Sequence, residues 1–295
     1  MDPVSRRFIK KLLSKRSLQP LKRLGQHFLI DKKVLQRIIR AANLKPGDIV
    51  LEIGPGIGTL TLELVKKVKK VLAVEKDSRM VEILKETLKS FGNIKIIQGD
   101  ILKINPVSNL KLKNYKIVAN IPYYLTSPLI RNFLEEKNQP KEMILMVQKE
   151  VAQRICAKPP ESKRINPLLH PSLPLGHMSI LAVSVQFYAQ PKIMNFVSKK
   201  SFWPQPKVDS AIIKITPKKL LTSQSFGNLF FKIVKAGFSQ PRKQILNNLT
   251  KSLKLNKEEV KFWLQKNKIL PEQRAETLTL KDWKNLAKSF YLVNN

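Results

Sequence analysis

The stretch "IVLEIGPGIGTLT", residues 49–61, carries the strongest indication of the fold of this chain, because an apolar run meets a glycine-rich turn there. The run at 49–53 predicts a buried strand, and helical spacing resumes from Leu60. Between them lie glycines at alternate positions, Gly54, Gly56 and Gly58. Glycines permit a tight turn and a close approach of a ligand to the backbone. The spacing lacks the Gly-Lys-Ser/Thr of a phosphate-binding P-loop and differs from the dinucleotide pattern G-x-G-x-x-G, so the loop alone is not specific.

Strands and helices alternate on both sides of this stretch. A helix is predicted before it, at "KKVLQRIIRAAN", and further strands are predicted at "KVLAVEKD", "NIKIIQGD", "YKIVANI" and "KEMILMVQ". This alternation predicts a doubly wound, mostly parallel sheet of the α/β class, similar to a Rossmann fold. Beyond Pro217 the spacing is helical throughout, with Trp263 and Trp283 as expected core anchors, which predicts a small all-α domain.

These patterns predict three parts of the chain. Residues 1–20 form a basic N-terminal arm, 21–217 form the α/β domain, and 218–295 form the helical domain. Apolar segments are short and interrupted by lysines, so no membrane span is expected. The arm lacks the apolar core and cleavage site of a secretory signal, which favours a cytoplasmic protein.

Charge is the most unusual feature of the composition. The chain has 55 Lys and Arg against 21 Asp and Glu, a formal net charge of +34. A field of this strength attracts polyanions, so the composition favours nucleic acid or an anionic membrane surface as a partner. An AT-rich genome that favours lysine, or a need for solubility, would explain part of the excess of Lys and Arg.

Cysteine and histidine usage argues against metal chemistry. Cys156 is the single cysteine, which excludes an internal disulfide framework and a cysteine-based metal site. The histidines, His27, His170 and His177, show no metal-ligand spacing. We therefore predict no metal.

Polar side chains follow successive strands of the predicted sheet. Glu75 ends the second strand, 21 residues beyond Gly54, and Asp100 and Asn120 follow the third and fourth strands. Ligands of open α/β sheets bind at the carboxyl ends of the strands, and an acid at the end of the second strand suits ribose hydroxyls. Each acid alone is typical of a solvated charge, but together with the glycine loop these residues predict a nucleoside pocket.

This order of residues resembles S-adenosylmethionine-dependent methyltransferases. In that class the glycine loop passes the methionine part of the cofactor, the acid corresponding to Glu75 holds the ribose, and the acid corresponding to Asp100 meets the adenine. Asn120-Ile121-Pro122-Tyr123 resembles the four-residue signature of enzymes that methylate amino groups of nucleobases. The resemblance implies that Asn120 and the nearby backbone carbonyls accept the amine N–H bonds while Tyr123 stacks on the base.

Several longer motifs resemble one family, the ribosomal RNA adenine N6,N6-dimethyltransferases. They are "RLGQHFLID", "EIGPGIGTLT", "NIPYYLTSPLI", "MVQKEVAQRI" and "FWPQPKVDSAII", in family order over roughly residues 23–250. The resemblance implies S-adenosyl-L-methionine as cofactor, contacted by His27 and Leu29 as well as by Gly54 and the three strand-end residues. It also implies that Phe202 closes on the target base opposite Tyr123. The expected substrate is a pair of adjacent adenines in the 3′-terminal hairpin loop of small-subunit rRNA in the immature subunit, acted on by a monomer.

Two segments depart from the family pattern. The segment at 158–179 is longer and richer in proline than usual. In "FSQPRKQILNNL", Pro241 replaces a residue that is often basic, while Arg242 and Lys243 remain as candidate RNA contacts in the helical domain.

Two other functions stay open at this point. One is the related erythromycin-resistance type of methylase, which modifies an adenine of large-subunit rRNA. The other is a non-enzymatic nucleic-acid-binding protein on the same fold. The motifs at 146–155 and 202–213 favour the small-subunit enzyme over the first, and the intact 120–123 signature with its two acids argues against the second.

Overall fold

A computed structural model describes residues 4–21, 24–104, 112–159, 178–219 and 223–290. Backbone contacts divide the chain into two compact units, Met1–Ala152 with Ala189–Pro217, and Gln153–Tyr188 with Lys218–Asn295. This division differs from the predicted ranges 21–217 and 218–295, since the N-terminal arm joins the first unit and Gln153–Tyr188 joins the second. The functional assignment of these ranges stays a prediction.

The first unit alternates strands and helices as the sequence predicts. Its helices are α1 (Arg6–Ser14), α2 (Lys32–Ala42), α3 (Thr61–Val65), α4 (Ser78–Thr87) and α5 (Thr126–Glu135), with α6 (Lys149–Cys156) at its boundary. Its strands are β1 (Phe28–Leu29), β2 (Ile49–Ile53), β3 (Lys70–Glu75), β4 (Ile94–Gln98), β5 (Tyr115–Asn120), β6 (Met143–Gln148), β7 (Ala189–Val197), β8 (Phe202–Trp203) and β9 (Ser210–Pro217). The predicted strands correspond to β2 through β6.

The main sheet has seven strands in the order β4-β3-β2-β5-β6-β9-β7. The five strands from β4 to β6 are parallel, whereas β9 pairs antiparallel with both β6 and β7. The doubly wound, mostly parallel sheet is therefore confirmed. Its chain order reverses between β2 and β5, and that reversal opens a crevice at the carboxyl ends of the strands.

A second, two-stranded sheet joins two distant motifs. β1 pairs antiparallel with β8, so that Phe28 faces Trp203 and Leu29 faces Phe202. The backbone N–H of Ile30 also donates to the carbonyl of Ser201 at 2.9 Å. This pairing holds the motif at 23–31 against the motif at 202–213, although about 170 residues separate them.

The N-terminal arm forms helix α1, which packs on the first unit. Ile9 and Leu13 are buried in one cluster with Phe28, Ile57, Met80 and Ile83. Ser5 caps the helix start by accepting from the N–H of Phe8 at 3.4 Å. Because its apolar side lies in this cluster, the helix is part of the core of the unit.

The second unit is helical. It contains α7 (Ile180–Tyr188), α8 (Gln224–Gly237), α9 (Ile245–Leu253), α10 (Lys257–Lys266) and α11 (Leu280–Lys288). Trp263 and Trp283 are fully buried in its core, as the sequence predicts. α7 joins these helices because Val183 and Phe187 pack in the same cluster, and the ring of Phe187 stacks on Phe230 at 4.3 Å.

Candidate active site

The predicted site residues of the first unit line one cleft at the carboxyl edge of the sheet. They are His27, Leu29, Gly54, Glu75, Asp100, Asn120, Pro122, Tyr123 and Phe202. The parallel strands β2, β3, β4 and β5 end at the same edge, which is why residues far apart in sequence meet there. These residues therefore share one concave site, and its role as a nucleoside pocket stays a prediction.

The glycine loop after β2 needs its glycines. Gly54 and Gly56 have φ angles of +65° and +59°, a backbone region that residues with a Cβ rarely adopt. A Cβ on Gly54 would lie 3.2 Å from Cδ of Pro122, and one on Gly56 would lie 3.2 Å from the ring of Phe28. Glycine therefore lets this loop pass close to Pro122 and Phe28, which also line the cleft.

Glu75 is tied to the glycine loop. One carboxylate oxygen accepts from the backbone N–H of Gly56 at 3.0 Å, and the other accepts from the N–H of Asp77 at 2.9 Å. The residue is 7% exposed, and burial raises the pKa of its carboxyl group despite these hydrogen bonds. The carboxylate is thus fixed in position, with lone pairs that can accept from a ligand.

Asp100 lies at the same edge in a more open position. Its carboxylate accepts from the N–H of Leu102 at 3.1 Å and from Nζ of Lys76 at 2.8 Å. The bond to Lys76 lowers the pKa of Asp100, so this group is ionised at neutral pH. A charged acceptor therefore follows β4, as the sequence predicts.

Asn120 ends β5 with a defined amide orientation. Its Nδ2 donates to the backbone carbonyl of His27 at 3.3 Å. This bond assigns the amide, since a carbonyl only accepts. Within the described residues no hydrogen bond engages Oδ1, so an acceptor remains at the cleft for a ligand.

Tyr123 and His27 stack beside this amide. Their ring centroids are 6.0 Å apart at an interplanar angle of 28°. Tyr123 Oη shares a 2.7 Å hydrogen bond with Oγ of Ser210, and burial raises the pKa of the tyrosine. His27 Nδ1 donates to the carbonyl of Pro204 at 2.6 Å. Both rings are thereby fixed by hydrogen bonds at their edges.

Leu29 and Phe202 form an apolar wall of the cleft. Both are 3% exposed and pack in the core cluster that includes Leu60 and Met146. Their positions follow from the pairing of β1 with β8. Phe202 is thus at the cleft but mostly covered in this conformation.

Two features of the cleft were missed by the sequence reasoning. Glu52, inside β2, is 1% exposed, and its Oε2 has no hydrogen-bond partner in the described part of the chain. Burial raises the pKa of Glu52 to about 8, and the carboxylate of Glu75 acts in the same direction. The sequence contains a signal for Glu52, because an acid inside an apolar strand is costly to bury and therefore suggests a functional role.

The second missed feature links the motif at 23–31 to the end of β3. Gln26 Nε2 donates to Asp77 at 2.8 Å, and Arg79 Nε donates to the same carboxylate at 2.8 Å. The bond to Arg79 lowers the pKa of Asp77. No sequence spacing joins residues 26 and 77, so this contact requires the fold.

Arg242 and Lys243 lie in the second unit, in an exposed turn before α9. Lys243 donates its backbone N–H to the carbonyl of Gln240 at 3.0 Å.

His170, His177 and most of the proline-rich segment lie outside the described residues. Across the described ranges, no cluster of His, Cys, Asp and Glu could hold a metal ion. No helix in that part of the chain is both long and apolar enough to cross a membrane.

Comparisons with known proteins point to one family. A profile described as "Ribosomal RNA adenine dimethylase" matches residues 18–291. "Ribosomal RNA small subunit methyltransferase A" of Dehalococcoides mccartyi is 41% identical over 283 residues, 95% of this chain and 92% of that protein.

Two solved structures are similar over nearly the whole chain. The dimethyladenosine transferase from Plasmodium falciparum has a TM-score of 0.68 and 28% identity, covering 90% of this chain and 98% of that one. The 23S rRNA methyltransferase ErmE has a TM-score of 0.69 and 25% identity, covering 91% and 100%.

Proposed function

The chain belongs to the ribosomal RNA adenine dimethylase family, and from this premise we propose that it methylates two adjacent adenines of small-subunit rRNA at N6. It is a methyltransferase, and S-adenosyl-L-methionine is its proposed methyl donor. The relative from Dehalococcoides mccartyi, named for the small subunit, is 41% identical, whereas the large-subunit enzyme ErmE is 25% identical. The small-subunit function is therefore favoured over the erythromycin-resistance type.

The cleft fits this cofactor chemically. S-adenosylmethionine supplies a methyl group on a sulfonium cation, and the cleft presents carboxyl groups from Glu52, Glu75 and Asp100. Oε2 of Glu52 has no hydrogen-bond partner within the described part of the chain, so this carboxyl group can form a hydrogen bond with a bound ligand. We propose that Glu75 accepts from ribose hydroxyls and Asp100 from the adenine, beside Gly54.

Asn120 carries the proposed chemistry, and its oriented amide is the observation on which the function rests. The bond from Nδ2 to the carbonyl of His27 orients the amide, so that Oδ1, which has no hydrogen-bond partner among the described residues, can accept from the exocyclic amine of adenine. The amine is a poor nucleophile because its lone pair is delocalised into the ring. Acceptors on its two N–H bonds, Oδ1 and the carbonyl of Ile121 or Pro122, favour a tetrahedral nitrogen whose lone pair points at the methyl group.

Aromatic and apolar groups hold the base. We propose that the adenine stacks on Tyr123, which Ser210 and His27 keep in place, and that Phe202 contacts its other face. Phe202 is 3% exposed, so this contact requires a shift of its side chain or of the β1–β8 pair. The nitrogen becomes cationic on methylation and then releases its proton readily, so no strong general base is needed.

The partner is proposed to be the immature small ribosomal subunit, bound by a monomer in the cytoplasm. A net charge of +34 supports binding to the RNA backbone. Arg242 and Lys243 are exposed cations in the second unit and are proposed phosphate contacts.

The substrate assignment is tested by methyl transfer to two substrates in parallel. Undermethylated small subunits and large-subunit rRNA are incubated with the protein and labelled S-adenosylmethionine, and the modified nucleosides are mapped by mass spectrometry. We expect N6,N6-dimethyladenosine at two adjacent positions of the small-subunit RNA alone. Methylation confined to the large-subunit RNA would overturn the assignment in favour of the erythromycin-resistance type.

A further inference from the structure

Helix α1 carries a cationic face that the proposed active site does not use. Residues 4–21 contain no Asp or Glu, and within the described residues no carboxylate pairs with the exposed cations of this segment, Arg6, Arg7, Lys10, Lys11 and Lys15. Among the described residues, Arg16 is the one cation of this segment that forms an ion pair, with Glu86. The helix thus presents a charged surface on its solvent side.

This arrangement is unfavourable for an isolated helix. Arg6 and Lys10 are four residues apart, as are Arg7 and Lys11, so like charges face each other along the helix. Arg6 and Arg7 also lie in the first turn, where the positive end of the helix dipole disfavours cations. Bound anions would relieve both repulsions.

Part of the cationic face lies near the cleft. The apolar side of α1 shares a buried cluster with Phe28 and Ile57, both of which line the cleft. Lys10 Nζ is 5.9 Å from the ring centroid of Trp203, the residue that follows Phe202. A polyanion bound at α1 would therefore pass close to the proposed base-binding wall.

Burial of the apolar side decides which polyanion fits. A basic amphipathic helix binds an anionic membrane by inserting its apolar face into the lipid. In α1 that face is occupied, since Ile9 is 0% and Leu13 is 2% exposed. We propose that the cationic face of α1, formed by Arg6, Arg7, Lys10 and Lys11, binds backbone phosphates of the substrate RNA at the mouth of the cleft. This inference rests on the proposed function, because it takes the substrate to be rRNA.

The test compares two triple variants of the full chain. The first is Arg7→Gln/Lys10→Gln/Lys11→Gln. The matched control is Lys67→Gln/Lys69→Gln/Lys70→Gln, which removes the same charge from exposed positions near the amino end of β3, at the opposite sheet edge from the cleft. The dissociation constant for small-subunit rRNA is measured from 50 to 300 mM salt, with cofactor affinity and melting temperature as checks on folding.

The two variants have different expected results. The α1 variant should bind rRNA more weakly, and the slope of log affinity against log salt should decrease in magnitude by about 2, at roughly 0.7 per lost phosphate contact. The control should keep the wild-type slope within about 0.5 of a unit, and both should keep the wild-type cofactor affinity. Equal slopes for the α1 variant and its control would overturn the inference.

Two further outcomes separate this inference from its premises. If the wild-type protein methylates small-subunit rRNA and the α1 variant binds that RNA as tightly, only this inference fails. If the wild-type protein neither binds nor methylates that RNA, the proposed function fails with it. Cosedimentation with phosphatidylserine vesicles that depends on α1, alongside unchanged RNA binding, would identify a membrane surface instead and overturn the inference.

Discussion

Glu75 accepts a hydrogen bond from the backbone N–H of Gly56 across 3.0 Å, so the acid at the end of β3 is bound to the loop after β2. The two motifs that the sequence assigns to one cofactor are thus physically connected. The carboxylate has a structural bond and a proposed ligand-binding role at the same time. A substitution at this position should affect both, and the two effects are separable by measurement.

Glu75→Ala should weaken S-adenosylmethionine binding by about 1–3 kcal/mol, because ribose hydroxyls would lose a buried charged acceptor. Isothermal titration calorimetry measures the affinity, and thermal melts report the loss of the bond to Gly56. Small-subunit rRNA affinity should stay near the wild-type value. A destabilised variant with unchanged cofactor affinity would remove Glu75 from the binding site.

Glu52 predicts a pH-dependent stability. Its pKa is raised to about 8 in the folded protein from an ordinary value of 4.5, so the folded state retains a proton that the unfolded state loses between these pH values. Its contribution to the free energy of unfolding is therefore complete below pH 4.5 and decreases as the pH rises to 8. The slope is about 1.4 kcal/mol per pH unit in that window.

Glu52→Gln should remove this decrease in the free energy of unfolding with rising pH. The melting temperature of the variant, relative to wild type, should increase steadily from pH 5 to pH 8 and level off above. Comparing the two proteins at each pH cancels most contributions of other titrating groups. A difference that does not vary with pH would show that Glu52 does not titrate in this range.

Tyr123→Ala should lose about 1–3 kcal/mol of base stacking, seen as weaker binding of the target hairpin and a lower rate of methyl transfer. Tyr123→Phe keeps the ring but not the hydroxyl that bonds to Ser210. It should lose about 1 kcal/mol of stability and keep most of its activity. Equal activity losses in both variants would indicate that the hydroxyl, and not stacking, matters.

Arg242→Gln/Lys243→Gln should weaken rRNA binding and reduce the magnitude of its salt slope by about 1.4, at roughly 0.7 per phosphate contact. Cofactor affinity should not change, since both residues belong to the second compact unit. Fluorescence anisotropy with labelled rRNA measures the slope. A wild-type slope in this variant would leave the turn before α9 without a role in RNA binding.

The spacing of apolar residues and the polar residues at the strand ends predict most of this fold and of the cleft. The alternation from Ile49 to Gln148 predicts five parallel strands, and their carboxyl ends bring Glu75, Asp100 and Asn120 together. This works because parallel strands all end at the same edge of a sheet, whatever their order across it, so the residues that follow successive strands lie at one edge. Trp263 and Trp283 are equally predictable, since large apolar side chains at helical spacing are buried.

Contacts between segments that are distant in the sequence cannot be predicted in the same way. The strands β7 and β9 add an antiparallel part to the sheet, and β7 carries Pro191 and several exposed side chains, which obscure its pattern. The pairing of Leu29 with Phe202 and the bond from Gln26 to Asp77 depend on how loops meet in space. The basic composition of residues 1–20 predicts an arm, whereas the buried Ile9 and Leu13 make it a packed helix.

The role of Asn120 in orienting the amine is tested by single-turnover methyl transfer with Asn120→Ala, at saturating S-adenosylmethionine and with small-subunit rRNA as substrate. Loss of the oriented acceptor Oδ1 should lower the rate about a hundredfold or more, by analogy with the loss of one oriented hydrogen-bonding group elsewhere. Asn120→Asp keeps an acceptor oxygen at the same position and should retain more of the rate than the alanine variant. Thermal melts serve as the check that both variants are folded. A stable Asn120→Ala protein with the wild-type single-turnover rate would contradict the account.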